Sequence, residues 1–210
     1  MFNFRAAFGK KKSDGGATYS YLIVGLGNPD REHENNRHNI GFMALDRMQG
    51  DHRLSDWRNK FSGLISYGDY MGVRLLLLKP QTYMNLSGKS VAEAARFYKI
   101  PLTNIIVLHD ELDLPLGKVR TKTGGGAAGH NGLKSIDADL GDQSYRRVRI
   151  GIGHPGDKAR VSGHVLSDFS GDERHLSDLM VAGISRHLDL LLEGKESEFM
   201  NKISDETKVV

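Results

Sequence analysis

The sequence predicts an α/β fold: one domain with a twisted mixed sheet, largely parallel at its centre and flanked by helices. Three observations predict it. Apolar runs of strand length recur at Tyr21–Leu26, Val73–Leu78 and Ile105–Leu108, continuous in the manner of strands covered on both faces. Stretches with helical periodicity fall between and after them, from near Asn39, over Ser87–Tyr98 and Leu133–Leu140, and over Asp172–Glu193. Each apolar run then breaks off into small polar or titratable residues, as strands do when their carboxyl ends line a ligand crevice.

A chain of 210 residues fits one domain and can remove roughly 70% of its unfolded surface from water. The hydrophobic fraction of 39% and charged fraction of 26% belong to an ordinary soluble protein. Cysteine is absent, which excludes disulfides, Cys-ligated zinc and a Cys nucleophile. Its absence fits a reducing compartment, so a cytoplasmic location is expected. No apolar run approaches the roughly 18 residues a membrane span needs. The net charge of +3 permits an anionic partner without specifying one. Residues 1–20 read as a disordered basic extension, with Lys10-Lys11-Lys12 and no apolar core for a secretory signal. A transit peptide is the alternative, because acids are missing until Asp14. The expected domain runs over 21–194, and 195–210 reads as a loose polar tail with room for a short helix around Glu196–Ile203.

In order, Tyr21–Leu26 reads as the first buried strand, ended by Gly27-Asn28-Pro29-Asp30. Gly25 and Gly27 invite a dinucleotide-binding reading, but the third glycine is replaced by Asp30, and Pro29 interrupts the turn. The glycines are therefore expected to let the backbone turn sharply and set Asn28 at the strand end. Arg31–Arg37 reads as a polar loop and His38 stands at the entrance of the first helix, whose dipole would keep an imidazole neutral. Taken alone, His38 fits a structural turn residue as well as a base. Gly63–Tyr67 and Val73–Leu78 read as two strands around a hairpin turn. Lys79–Asn85 then delivers Met84 and Asn85 before the Ser87–Tyr98 helix. Ile105–Leu108 leads into His109-Asp110-Glu111-Leu112-Asp113, one His and three carboxylates at a strand's end. That burst fits a solvated loop as well as a site.

Lys118–Lys122 alternates basic and uncharged residues, so its basic side chains are expected on one face of an exposed strand. Gly124–Gly129 lacks the Lys-Ser/Thr of a phosphate-binding loop and ends at His130-Asn131 before the next helix. Arg146–Gly153 reads as the last strand and His154–Asp168 as a mobile surface loop. Asp172–Glu193 reads as one long helix, with His187 half-buried on its apolar stripe.

Asn28 and His38, Asn85, Asp110, and His130-Asn131 thus end four separate segments that a largely parallel sheet would bring to one rim. The chain has no G-x-S-x-G elbow, no cysteine nucleophile and no H-E-x-x-H zinc spacing. What remains is a His that an Asp can orient and strengthen as a base for water. Asn amides can donate to a developing oxyanion, each such donor contributing on the order of 3 kcal/mol. That chemistry suits hydrolysis of an ester or similar acyl bond. The basic residues of Lys118–Lys122 and Arg146–Arg149 suit a polyanionic leaving group such as nucleic acid.

From about Tyr21 to about Glu193 the sequence resembles the bacterial type of peptidyl-tRNA hydrolase. Five ordered motifs carry the resemblance: Val24-Gly25-Leu26-Gly27-Asn28-Pro29, Arg37-His38-Asn39, Lys79-Pro80-Gln81-Thr82-Tyr83-Met84-Asn85, His109-Asp110-Glu111-Leu112-Asp113, and Gly129-His130-Asn131-Gly132-Leu133. The resemblance implies a monomeric esterase, free of cofactor and metal, that cleaves a peptide from the 3′ end of tRNA. It makes His38 similar to the catalytic base, Asp110 to its orienting carboxylate, and Asn28 to a residue that helps position substrate and water. Asn85 and Asn131, with Met84, Tyr83 and His130, are similar to residues around the peptide. Arg120 and Arg149, with Lys118, Lys122 and Arg147, are the expected grip on tRNA phosphate. Two departures stand out: His33 where the family usually has Tyr, and Ala127-Ala128 in the Gly-rich loop. Two other readings stay open beside this one: a non-catalytic RNA-binding relative, and a metal-dependent phosphoesterase built on His38, His109, Asp110 and His130.

Overall fold

The computed structural model describes residues 18–208. Most of the expected N-terminal extension, residues 1–17, therefore lies outside the described residues. Seven strands form one sheet: β1 (Tyr21–Gly25), β2 (Arg58–Lys60), β3 (Gly63–Tyr70), β4 (Val73–Pro80), β5 (Ile105–Glu111), β6 (Val119–Thr123) and β7 (Arg146–Gly151), ordered β2-β3-β4-β1-β5-β7-β6. The four central strands are parallel, and the antiparallel β3–β2 and β6 flank them. The expected mixed sheet with a parallel centre is thus the observed one. Among the described residues the α-helices are α1 (Ile40–Asp51), α2 (Ser87–Tyr98), α3 (Asn131–Leu140), α4 (Val161–Val165), α5 (Gly171–Arg186), α6 (Leu188–Leu192) and α7 (Glu196–Glu206).

Period-2 alternation divides the core. Ile106 and Leu108 of β5 face one cluster with α1, α5, α6 and α7, whereas Ile105 and Val107 face the other with α2 and α3. Asp110 continues the parity of Ile106 and Leu108, which aims it toward the segment that precedes α1. β1 lies between β4 and β5, so the carboxyl ends of the parallel strands gather at one rim. The β3–β4 hairpin closes through Met71 and Gly72, both at positive φ, the turn whose twist matches paired strands.

Several expectations need correction. Gly25 and Gly27 have no positive φ. Their use is close approach: a Cβ on Gly25 would strike the Gly41 carbonyl of α1, and one on Gly27 would strike the Phe42 ring. The predicted single helix Asp172–Glu193 is two, broken at His187, whose Nε2 lies 2.8 Å from Glu206 Oε1. The segment read as the loop His154–Asp168 carries a 3-10 turn at Lys158–Arg160 followed by α4. The chain beyond Lys195 is no loose tail: α7 buries Phe199 and Ile203 completely against the sheet. The short helix expected around Glu196–Ile203 is present and longer; its docking was not read because few apolar residues, Phe199, Ile203 and the partly buried Met200, anchor an otherwise polar helix. β2 is wholly exposed and has no apolar pattern to read.

Candidate active site

A cleft of about 910 Å³ opens at the strand carboxyl ends. Asn28, His38, Tyr83, Met84, Asn85, Asp110, His130 and Asn131 all line it, gathered from five segments. Leu112 and Asp113 extend one wall, and Lys158, Val161 and Leu166 around α4 form another.

At its floor the His38 Nδ1 lies 2.8 Å from Asp110 Oδ1. Asp110 is buried; desolvation opposes its charge, but His38 and His130 outweigh that and hold its carboxyl well below the usual range. An ionised Asp110 is only an acceptor, so His38 donates from Nδ1 and keeps its Nε2 lone pair. Burial works against charging His38, yet the Coulomb attraction and hydrogen bond of Asp110 prevail, and its pKa is raised above the ordinary 6.5. The pair therefore has the make-up of an oriented and strengthened base.

His130 Nε2 lies 2.9 Å from the same Asp110 Oδ1. Its Nδ1 accepts the backbone N–H groups of Gly132 and Leu133, at 3.1 and 3.4 Å, and so caps α3. A ring that accepts at Nδ1 carries its proton on Nε2, so His130 donates to Asp110. His38, Asp110 and His130 place candidate ligand atoms within 4.8 Å of one another. Binding a metal through His130 Nε2 would need the ring stripped of both protons, so the donor set fits shared protons better. His109 does not join them: its Nδ1 donates to the Asp110 carbonyl at 2.7 Å and its Nε2 is buried without a partner. Desolvation first, and His130 next, push its pKa down to about 3, so it stays neutral.

Asn28 is fixed on three sides. Its backbone N–H donates to Asn39 Oδ1 (2.8 Å), its carbonyl accepts from Asn39 Nδ2 (2.9 Å), and its own Oδ1 accepts from the Met84 N–H (3.1 Å). That use of Oδ1 leaves the Asn28 amide N–H₂ as its free donor. Asn39 is buried and ties the end of β1 to the start of α1, a role the sequence reading did not assign. Its signal is misleading, since an Asn at a helix start reads as a cap, and this one caps nothing. Arg37 was likewise unassigned. It is buried, and its guanidinium donates to the Ser167 and Asp168 carbonyls and, at 2.6 Å, to Glu173 Oε2, tying the site to the segment after α4.

The basic residues separate. Arg120 and Lys122 are exposed on β6, and Arg120 stands opposite Arg149 in register. Arg149 is 26% exposed and donates to Glu111 Oε2 at 2.8 Å. Lys118 leaves that face and reaches Ser204 of α7 at 3.3 Å. Arg147 is a correction: at 2% exposure it cannot grip an incoming phosphate. It donates instead to the Gly126 carbonyl (3.0 Å) and to Asp137 of α3 (3.3 Å), over the Tyr145 ring. It thus fastens the Gly-rich loop to α3 from beneath.

The family model described as Peptidyl-tRNA hydrolase matches residues 22–209. A peptidyl-tRNA hydrolase of Chelativorans sp. is 56% identical over 183 residues, covering 87% of this chain and 76% of the relative. That of Acidiphilium cryptum is 55% identical over 188 residues, covering 89% and 97%. The crystal structure of peptidyl-tRNA hydrolase from Acinetobacter baumannii is 41% identical with a TM-score of 0.82, covering 90% of this chain and 97% of that one. With a family match over nearly the whole chain and relatives more than half identical over the aligned residues, the chain belongs to the peptidyl-tRNA hydrolase family.

Proposed function

We propose that this enzyme hydrolyses the ester between a peptide, or an N-acylated amino acid, and the 3′ end of tRNA, using His38 and Asp110 to activate water. The observation that carries the mechanism is the 2.8 Å contact between His38 Nδ1 and Asp110 Oδ1 at the floor of the cleft. His38 Nε2 takes a proton from water as the water oxygen bonds to the ester carbonyl carbon. Asp110 stabilises the imidazolium that forms. The tetrahedral oxyanion collapses, the bond to the tRNA 3′ oxygen breaks, and His38 returns its proton to that leaving oxygen. Asn28, held by Asn39 and Met84, offers its free amide to the carbonyl oxygen or the water. Asn85 and Asn131, exposed on the cleft walls, bind the peptide group. Such amides gain nothing from a free ammonium, so ordinary aminoacyl-tRNA is spared.

Arg120, Lys122 and Arg149 take tRNA phosphates along the β6–β7 edge; Lys118, turned to Ser204 of α7, does not join them. The enzyme works as a cytoplasmic monomer; no helix among the described residues is long and apolar enough to cross a membrane. The test is release of N-acetyl amino acid from N-acetyl-aminoacyl-tRNA, with unacetylated aminoacyl-tRNA as control. Cleavage of the first and sparing of the second, with activity kept in excess EDTA, is expected. Activity lost in EDTA and restored by a divalent cation would favour the metal-dependent alternative.

A further inference from the structure

Asp110 Oδ1 is shared. His38 Nδ1 approaches it at 2.8 Å and His130 Nε2 at 2.9 Å, with the two rings 5.0 Å apart. The His130 tautomer is not free to change, because its Nδ1 is occupied as the cap of α3. We infer that His130 is a positioning residue that acts through Asp110: by donating to the oxygen His38 uses, it limits how strongly the carboxylate holds the His38 proton and so keeps the base unprotonated nearer neutral pH. This rests on the reading of His38 and Asp110 as the base pair.

One acceptor oxygen is divided between two ring donors. A carboxylate oxygen that already receives one N–H is a weaker acceptor for the next, and its charge is partly neutralised. A lone Asp110 would attract the imidazolium more strongly and raise the His38 pKa further. An over-stabilised imidazolium is a poor catalyst twice over: less neutral base is present at working pH, and proton return to the leaving oxygen is harder. The other charged or titratable groups around His38 are few. On the β5 side they are Asp110, Glu111 and Asp113, with His109 behind His130; across the cleft they are His154 and Lys158. Among the described residues, Asp110 alone lies within hydrogen-bond distance of the His38 ring. Glu111 is engaged by Arg149.

The experiment is the pH dependence of kcat/KM on N-acetyl-aminoacyl-tRNA for wild type, His130→Ala, His130→Gln and Asp110→Asn. The wild-type profile rises with pH as His38 loses its proton. In His130→Ala the midpoint moves upward, by about half a unit. In His130→Gln the side-chain N–H₂ replaces the Nε2 donor, and the midpoint returns toward wild type. Both His130 variants lose the ring cap on α3, so a merely structural role would affect them alike; thermal melts of both check this. An unmoved or lowered midpoint in His130→Ala, or equal shifts in the Ala and Gln variants, overturns the inference. The reading of the base pair fails separately, if the wild type shows no such rise or if Asp110→Asn leaves the midpoint in place.

Discussion

Two regions of the molecule, the cleft floor on β5 and the neighbouring strand β7, place like residues close together in sequence and use them differently. At the floor, β5 carries His109 and Asp110 side by side, both buried, yet Asp110 reaches His38 and His130 while His109 turns to a backbone carbonyl. At the edge, β7 carries Arg147 and Arg149 on one face, yet Arg147 is sealed beneath the Gly-rich loop and Arg149 meets solvent beside Glu111. Alternation decides which way a side chain points. What covers that side decides whether it does chemistry, binds a partner or holds the fold.

The largest effect separating floor from edge is expected at the floor. His38→Ala should lower kcat by about a thousandfold while the affinity for tRNA, read by filter binding, stays near wild type. An equal loss of affinity would make His38 a binding residue. Next is Arg147→Ala, which removes a buried guanidinium that holds both Asp137 and the Gly126 carbonyl and should destabilise the fold by roughly 3 kcal/mol. A denaturant melt checks this, and the salt dependence of tRNA binding should not change. The smallest is Arg149→Ala, which should raise KM with kcat nearly intact and reduce the slope of log affinity against log salt by about one. If Arg147→Ala changed the salt slope and Arg149→Ala the melt, the contrast between the two arginines would be reversed.

The pH profile sharpens the floor side. The pKa of His38 is raised above 6.5, chiefly by Asp110 against the pull of burial, and a base must be neutral to work. Activity should therefore rise with pH through a midpoint above 6.5. Asp110→Asn removes the charge and leaves the burial, so the midpoint should move down. The assay is initial rate against pH at subsaturating substrate; a profile already flat below pH 6.5 would contradict the assignment.

Much of this was legible in the chain because strong local signals agree with the fold. The apolar run into His109-Asp110 reads as a buried strand, and polar residues at several strand ends point to one site when the sheet is largely parallel. What stayed hidden depends on long-range cover. Nothing local tells Arg147 from Arg149, since the loop that buries one reaches it through Gly126, 21 residues away. Asn39 looks like a cap because its real partner is the backbone of Asn28, across the site. The partner that His187 meets at the helix break, Glu206, is contributed by α7. Gly25 and Gly27 read as turn residues, while the close approach of α1 that excludes a Cβ at each emerged only in three dimensions.

The central claim is that His38 and Asp110 act as one unit, and a double-mutant cycle tests it most directly. kcat/KM would be measured for His38→Ala, Asp110→Asn and the double variant on N-acetyl-aminoacyl-tRNA. If Asp110 works only through His38, the double variant will be no slower than His38→Ala alone. If the two losses multiply, the residues act independently and the account of a shared base is wrong.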